Sequence, residues 1–298
     1  SEYNTNTNAW YIHFNSGVSD GMNYRSKFKT GRVRVIRAFG NWTMGCMDSL
    51  ACNFNPEANM ADGSCTYSEE GYDCEGNQIH FSLNFDTINH YAEVPNSSSF
   101  DLTNFSVSFW IKPSESDAWG SPVSKDCCGC ENTNGDWAFF IHNNELNFYA
   151  QNTIQFNWNK VVTYQWPDFD TWYYISASRN EGQISLYVNG EIVSSIISDF
   201  SGEINNQDPL RFGKYASCGE YSNNFLLKNV ELWSSSLTSE QIQFYMSCPP
   251  TGNEAGLIGY WNFNEGQGNT VYDLSGNENN GTINGASYST DTPESNCE

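Results

Sequence analysis

Between Phe105 and Lys112 apolar and polar side chains alternate without a break. Phe105, Val107, Phe109 and Ile111 point one way, and Ser106, Ser108, Trp110 and Lys112 point the other. Successive side chains leave a pleated strand in opposite directions, so a period of two marks a β-strand with one buried face. A second short strand is expected at Ser82 to Phe85, before a turn-rich link. Trp137 to Ile141, Glu145 to Gln151 and Trp172 to Ser178 also read as strands. Gln183 to Val188 and Glu191 to Ile197 flank Asn189-Gly190, a dipeptide that favours the type I′ turn of a two-residue hairpin.

The two strands of SLNFDTINHYAEVPNSSSFDLTNFSVSFWIKP (82–113) resemble the opening of laminin G-like, concanavalin A-type jelly-roll domains. Phe85-Asp86 and Tyr91 stand for the family's "FDG.DDYV" element, with Asn89-His90 where two acids are usual. Pro209 to Gly213 and Leu226 to Trp233 match its "PLRIG" and "IDEVRIW" strands, and Ser236 to Ile242 its short helix, where Thr238 and Gln241 have capping-box spacing. The acidic "ID" is Lys228-Asn229 here, which argues against a ligand on that strand. Gly256 to Ile283 usually opens such domains and here closes one, as in a circular permutation; neighbouring termini make that rearrangement easy. The resemblance implies an all-β fold over residues 79–298, a two-sheet concanavalin A/laminin G-like jelly-roll sandwich with Trp233 and Trp261 in its core. It also implies calcium, held by oxygens of Asp86, Asp273 and Asn277, with an Asx-turn as the alternative role.

Ten cysteines in an acidic, turn-rich chain favour disulfides and an oxidising, extracellular setting. Zinc is the rival at Cys127-Cys128-Gly129-Cys130, although no second pair or histidine lies at finger spacing. Residues 43–78 hold GCMDSLACNFNPEANMADGSCTYSEEGYDCEGN, which resembles a short spacer repeat of very large surface proteins from type IX-secreting, Bacteroidota-type bacteria. Cys46, Cys52, Cys65 and Cys74 fit two disulfides, with three pairings formally open. Asp48, Asn53, Asn55, Asn59 and Asp62 crowd oxygens around tight turns, as calcium loops or Asx-turns do. Residues 1–42, with the basic run Gly31 to Phe39, resemble the tail of Lcl-type C-terminal domains of adhesins, a C-type-lectin-like fold that binds glycans. Cys248 and Cys297 flank the closing segment and are expected to tie it, leaving Cys127, Cys128, Cys130 and Cys218 to pair among themselves.

Thirty-five acids against 13 bases give a net charge of −22, which excludes nucleic acid as an electrostatic partner and suits divalent cations or salty surroundings. No apolar run reaches the length of a membrane-spanning helix, and Ser1 to Asn4 begin in polar sequence without a signal peptide. The chain therefore reads as a mature product or a piece of a longer secreted protein. For catalysis, the nearest match to the "ExDxxE" array of retaining glucanases is Glu115-Ser116-Asp117, in a loop and lacking the second Glu. The four histidines are scattered, and neither GxSxG nor HExxH occurs. No catalytic residue is expected. Sugar-stacking aromatics are sought among the loop residues Trp119, Trp137, Trp158, Trp166 and Tyr221, with Trp119, Trp137 and Tyr221 the chosen ligand contacts. Asn41, Asn96, Asn104 and Asn280 open sequons, and Ser49 and Thr87 fit an Asp-Ser/Thr-apolar O-glycosylation pattern. Together these features point to a non-catalytic, calcium-stabilised extracellular adhesion segment of a large modular surface protein or filament. It would bind glycans, surface proteins or copies of itself. The alternative is a glycoside hydrolase-like enzyme or its appended lectin.

Overall fold

The computed structural model describes residues 8–15, 18–26, 41–69, 71–87, 89–115, 119–126, 135–152, 157–215, 224–294 and 297. The chain divides into two compact units, Ser1–Tyr67 and Ser68–Glu298. In the first, β1 (Asn8–Asn15) and β2 (Val18–Ser26) form an antiparallel ribbon with an irregularity between Ile12 and Phe14. β3 (Met44–Gly45) and β4 (Met60–Ala61) form a short parallel pair. The expected strand-like run from Gly31 to Phe39 lies outside the described residues.

The second unit is a sandwich of two antiparallel sheets. Its strands are β5 (Ser82–Phe85), β6 (Tyr91–Val94), β7 (Phe105–Pro113), β8 (Val123–Lys125), β9 (Asp136–His142), β10 (Glu145–Gln151), β11 (Val162–Gln165) and β12 (Tyr173–Asn180). They continue with β13 (Gln183–Val188), β14 (Glu191–Ile197), β15 (Leu210–Phe212), β16 (Phe225–Trp233), β17 (Leu257–Trp261), β18 (Thr270–Val271), β19 (Gly281–Asn284) and β20 (Ser287–Ser289). A helix, α1 (Ser239–Ser247), sits between β16 and β17 in the chain. The front sheet runs β11-β10-β9-β8-β15-β6-β19-β18, and the back sheet β14-β13-β12-β7-β16-β5-β20, with β17 also on β16.

β7 lies at the centre of the back sheet, between β12 and β16. Phe105, Val107, Phe109 and Ile111 enter the core between the sheets, where Phe109 meets Phe139 edge-on at 4.8 Å. The expectation of a single buried face needs correcting, because Ser106 and Ser108 are fully buried as well. Their side of the sheet carries a second apolar cluster, with Tyr174, Trp233, Leu237, Ile242 and Leu257, brought there by β17 and α1. The serines satisfy their hydroxyls locally: Ser108 Oγ donates to Ser176 Oγ at 2.9 Å, and the Leu237 N–H donates to Ser106 Oγ at 2.8 Å. Small polar side chains let the cover approach without leaving an unpaired group.

Local expectations hold where the chemistry is local. Asn189 and Gly190 have φ of 51° and 82°, both positive, as a type I′ turn requires. A Cβ on Gly190 would lie 2.6 Å from Gln243 Cγ, so the turn also lets α1 close down. Asn143 and Asn144, at φ 49° and 60°, turn β9 into β10 in the same way. Thr238 and Gln241 form the capping box. The closing segment contributes to both sheets: β17 pairs with β16, β19 with β6 and β20 with β5. The Cys248–Cys297 disulfide is formed as expected. Asp291 accepts from Lys112 Nζ at 2.6 Å and from Trp172 Nε1 at 2.9 Å, fastening the segment to the back sheet.

Several charged side chains are buried in the framework, Arg179, Lys228 and Glu231 among them. Arg179 donates to the Thr103, Phe200 and Gly202 carbonyls. Lys228 donates to the Phe81 carbonyl at 2.7 Å and to Asn264 Oδ1 at 2.9 Å, and burial lowers its ammonium to about 8. Glu231, fully buried, is met by the Tyr174 hydroxyl at 3.4 Å and Trp233 Nε1 at 3.2 Å. Burial pushes its carboxyl up to about 8, against those two hydrogen bonds. The folded state then binds this proton more tightly than the unfolded chain does. Its contribution is intact below the ordinary glutamate range and is lost progressively as pH rises toward about 8. Glu231→Gln is therefore expected to raise stability by roughly 2–4 kcal/mol at pH 8 and to change it little at pH 4. Urea unfolding of both proteins across this range checks it; parallel pH profiles would show that Glu231 does not titrate with folding.

Candidate functional site

The same alternation that fills the core decides what faces outward on the front sheet. On β9, Trp137, Phe139 and Ile141 point into the core, which leaves Ala138, Phe140 and His142 on the outer face. On β10, Leu146, Phe148 and Ala150 point inward, leaving Asn147, Tyr149 and Gln151 outside, with Asn147 opposite Phe140. Two tryptophans cover this outer face from flanking loops. Trp119 stacks on His142 at 3.8 Å and 17°, and lies near-parallel to Phe140 at 5.6 Å and 22°. Trp158 meets Phe140 at 6.0 Å and 82°. Phe140 is thereby covered, while Trp119 and Trp158 remain 37% and 63% exposed. Both rings contact Phe140, and their planes, 22° and 82° from its own, are steeply inclined to each other, an aromatic corner around that ring.

Both loops are anchored by hydrogen bonds. Gly120 exchanges backbone hydrogen bonds with Ile141 at 3.0 and 2.7 Å, which fixes the chain next to Trp119. Trp158 begins a single 3₁₀ turn, Trp158–Lys160, capped by Asn157. The buried Gln151 amide holds that turn, donating to the Asn157 and Lys160 carbonyls at 3.1 and 2.9 Å and accepting from the Asn157 N–H at 2.8 Å. Lys160 Nζ then reaches the Ile197 carbonyl at 2.7 Å and Asp199 at 3.2 Å.

Beside the aromatic corner the outer face is polar but closed. The Tyr149 hydroxyl donates to Asp126 and lies 2.7 Å from the Tyr215 hydroxyl. Burial pushes Asp126 up to about 6, opposed by those two tyrosines, and pushes Tyr149 well above its ordinary range. Arg211 Nε donates to Glu93 at 3.0 Å, and its Nη2 lies 3.5 Å from Asp208. Lys125 donates to Asn96 Oδ1, to the Asn206 side chain and carbonyl, and to the Asp208 carbonyl, all within 3.1 Å. Burial lowers it to about 8. Lys214 Nζ sits over the Tyr91 ring at 4.1 Å.

Residues 86–243, more than half of the chain, match the laminin G-type family of the concanavalin A-like lectin/glucanases superfamily. The chain belongs to this superfamily. No curated protein matches its sequence. Among solved structures it is similar to a candidate carbohydrate binding protein from Bacteroides ovatus, with a TM-score of 0.59 and 19% identity over 81% of this chain and 68% of that one. It also matches a heptameric SAP-like pentraxin from Limulus polyphemus, with a TM-score of 0.43 and 16% identity over 57% of this chain and 83% of that one. The receptor binding domain of botulinum neurotoxin D matches with a TM-score of 0.41 and 20% identity over 54% of this chain and 45% of that one. At 19% identity the likeness to the B. ovatus protein reports the fold alone.

On this concanavalin A-like scaffold the expected ligand contacts separate. Trp119 is at the corner. Trp137 is corrected: it is 1% exposed and inward, because it shares the register of Phe139. Tyr221 lies outside the described residues. Trp166 is buried against Tyr173 at 5.0 Å. His142, Phe140 and Gln151 were not anticipated; the signal was available in the outward register of β9 and β10. Glu115 is exposed and Asp117 lies outside the described residues. Ser49 and Thr87 are both exposed. Cys46 pairs with Cys65, and Cys52 and Cys74 are disulfide-bonded too. Cys127, Cys128, Cys130 and Cys218 lie outside the described residues.

The calcium candidates are spread over separate turns. Asp48 accepts from the Leu50 N–H and the Tyr67 hydroxyl, which hold its carboxyl below the usual range. Asp62 is lowered by the hydroxyl and N–H of Ser64. Asn53 accepts from the Thr66 N–H, and Asn55 from the Glu57 N–H. Asp86 lies 2.8 Å from His90 Nδ1. Asp273 accepts three backbone N–H groups, from Tyr260, Ser275 and Asn279 at 2.9 to 3.0 Å. Asn277 donates to the Leu257 and Ile258 carbonyls. Among the described residues no three His, Cys, Asp or Glu side chains gather to hold an ion. These side chains fit turn formation rather than a shared cation. Asp273→Ala should then cost about 2–3 kcal/mol by stranding buried N–H groups, equally in calcium and in EDTA. Thermal melts of both proteins in each condition test this; a calcium-dependent gap in the wild type that vanishes in the variant would restore the ion.

Proposed function

We propose that the chain is a non-catalytic carbohydrate-binding module whose ligand seats against Trp119 and Trp158. The observation that carries this is the corner itself: two exposed indoles, held at a fixed angle by Phe140, His142 and Gln151 on the outer face of the front sheet. Rigid aromatics bury much area at little entropic cost and offer the flat apolar faces that sugar C–H groups pack on. The B. ovatus protein, named for carbohydrate binding, lends the reading support by analogy of fold. Among the described residues a catalytic reading lacks a comparable arrangement: Asp126, whose carboxyl is raised to about 6, is sealed beneath Tyr149 rather than open to a substrate.

The disulfides suit an oxidising compartment, and no helix among the described residues is long and apolar enough to cross a membrane. We therefore place the module outside the cell, on a larger surface protein, with residues 1–42 and 43–78 as its Lcl-type tail and spacer. Self-association into a filament is the remaining part of this proposal.

A glycan-array screen of the whole chain, with Trp119→Ala and Trp158→Ala beside it, tests the function. Each substitution is expected to weaken glycan binding roughly tenfold or more, as loss of a central aromatic contact does, with the melting temperature little changed. Gln151→Leu should weaken it too, through the loosened Trp158 turn. Glycan binding that survives both tryptophan substitutions would remove this face from the function.

A further inference from the structure

We infer that the ligand of this site is the uncharged terminal ring of a saccharide, neither an anionic glycan nor the flat face of a polymer. The inference rests on the carbohydrate-binding reading above and goes on to the class of sugar.

Charge decides the first part. Thirty of the 35 acids but only seven of the 13 bases fall in Ser68–Glu298, a net charge of −23 for this unit. A sulfated or uronic glycan would approach against that field and would need local cations to be recognised. All seven cations are already engaged. Nearest the site, Arg211 is paired with Glu93 and Asp208, Lys125 is enclosed by four oxygens, Lys214 covers Tyr91, and Lys160 is tied to Asp199. The other three, described with the fold, fasten Asp291 or hold backbone carbonyls. Recruiting any of them would break an existing bond, and for the buried ones would strand the partner.

Ring geometry decides the second part. A flat polymer face calls for coplanar aromatic rings set along a line, so that successive sugars stack on successive rings. Here Trp119 lies 22° from the plane of Phe140 and Trp158 lies 82° from it. Two indoles so inclined cannot both stack on successive sugars of one flat chain, whereas a single pyranose needs only one of their faces. Polar groups stand beside the stack for the hydroxyls: His142 Nε2 is within 3.1 Å of the Asn143 amide, at the exposed tip of the β9–β10 turn.

The test offers the whole chain neutral polysaccharides (laminarin, xylan, galactan) and anionic ones (heparin, polygalacturonate, alginate, carrageenan). Methyl glycosides of glucose, galactose, mannose, xylose, fucose and N-acetylglucosamine serve as competitors. Neutral glycans are expected to bind, with an affinity unchanged between about 50 and 500 mM NaCl. The matching methyl glycoside should compete within about tenfold of an oligosaccharide that ends in the same sugar. Both tryptophan substitutions should weaken each of these interactions alike. Anionic glycans bound in a salt-sensitive way, and lost in the tryptophan variants, would overturn this inference while leaving the carbohydrate reading in place. Affinity that climbs with chain length and ignores the methyl glycosides would overturn the terminal-ring part. Binding to none of the probes, or to proteins alone, would overturn the function and the inference together.

Discussion

The second unit depends on β7 being dry on both sides. Its large apolar residues lock the two sheets together, and its serines lie under the cluster that holds α1 and β17. Apolar burial of this kind is the main favourable term in folding, and a central strand contributes it twice. The cost is polar groups that need partners in a dry place. The serines meet that cost with one hydrogen bond each, whereas Glu231 meets it only partly and holds its proton up to about pH 8.

β9 and β10 show how a scaffold and a surface can be written in the same residues. One set of side chains completes the core, and the set between them supports the aromatic corner. A one-residue slip would exchange the two sets. The Asn143–Asn144 turn between the strands, with its two positive φ angles, therefore fixes register for the core and for the site together.

Much of the fold was legible because its signals are local. Alternation marked β7, Asn189-Gly190 marked the β13–β14 hairpin, and Thr238 with Gln241 marked the start of α1. The site was legible only in fragments. Trp119 and Trp137 look alike in sequence; the register of β9 buries Trp137, and the Gly120–Ile141 pairing sets Trp119 on the outer face. The second cover over β7 was invisible because small serines read as a solvent face. The acids of the tight turns suggested an ion, but Asp273 spends its oxygens on three backbone N–H groups, a demand that becomes visible only when the turn is closed. His142 was passed over as one of four scattered histidines, since its stacking partner lies 23 positions away in the chain.

The way the closing segment is woven into both sheets bears on how such a chain is made. β5 pairs with β20 and β6 with β19, and Ser82 reaches the Asp291 carbonyl across 209 positions of sequence. A chain emerging amino end first therefore carries two open strand edges until residues 281–291 appear. Contacts so distant close slowly, and unpaired edges invite pairing between neighbouring chains in the meantime. The strong negative charge of this unit works against that outcome by mutual repulsion. The acids that set the field around the folded module thus also keep its unfinished copies apart.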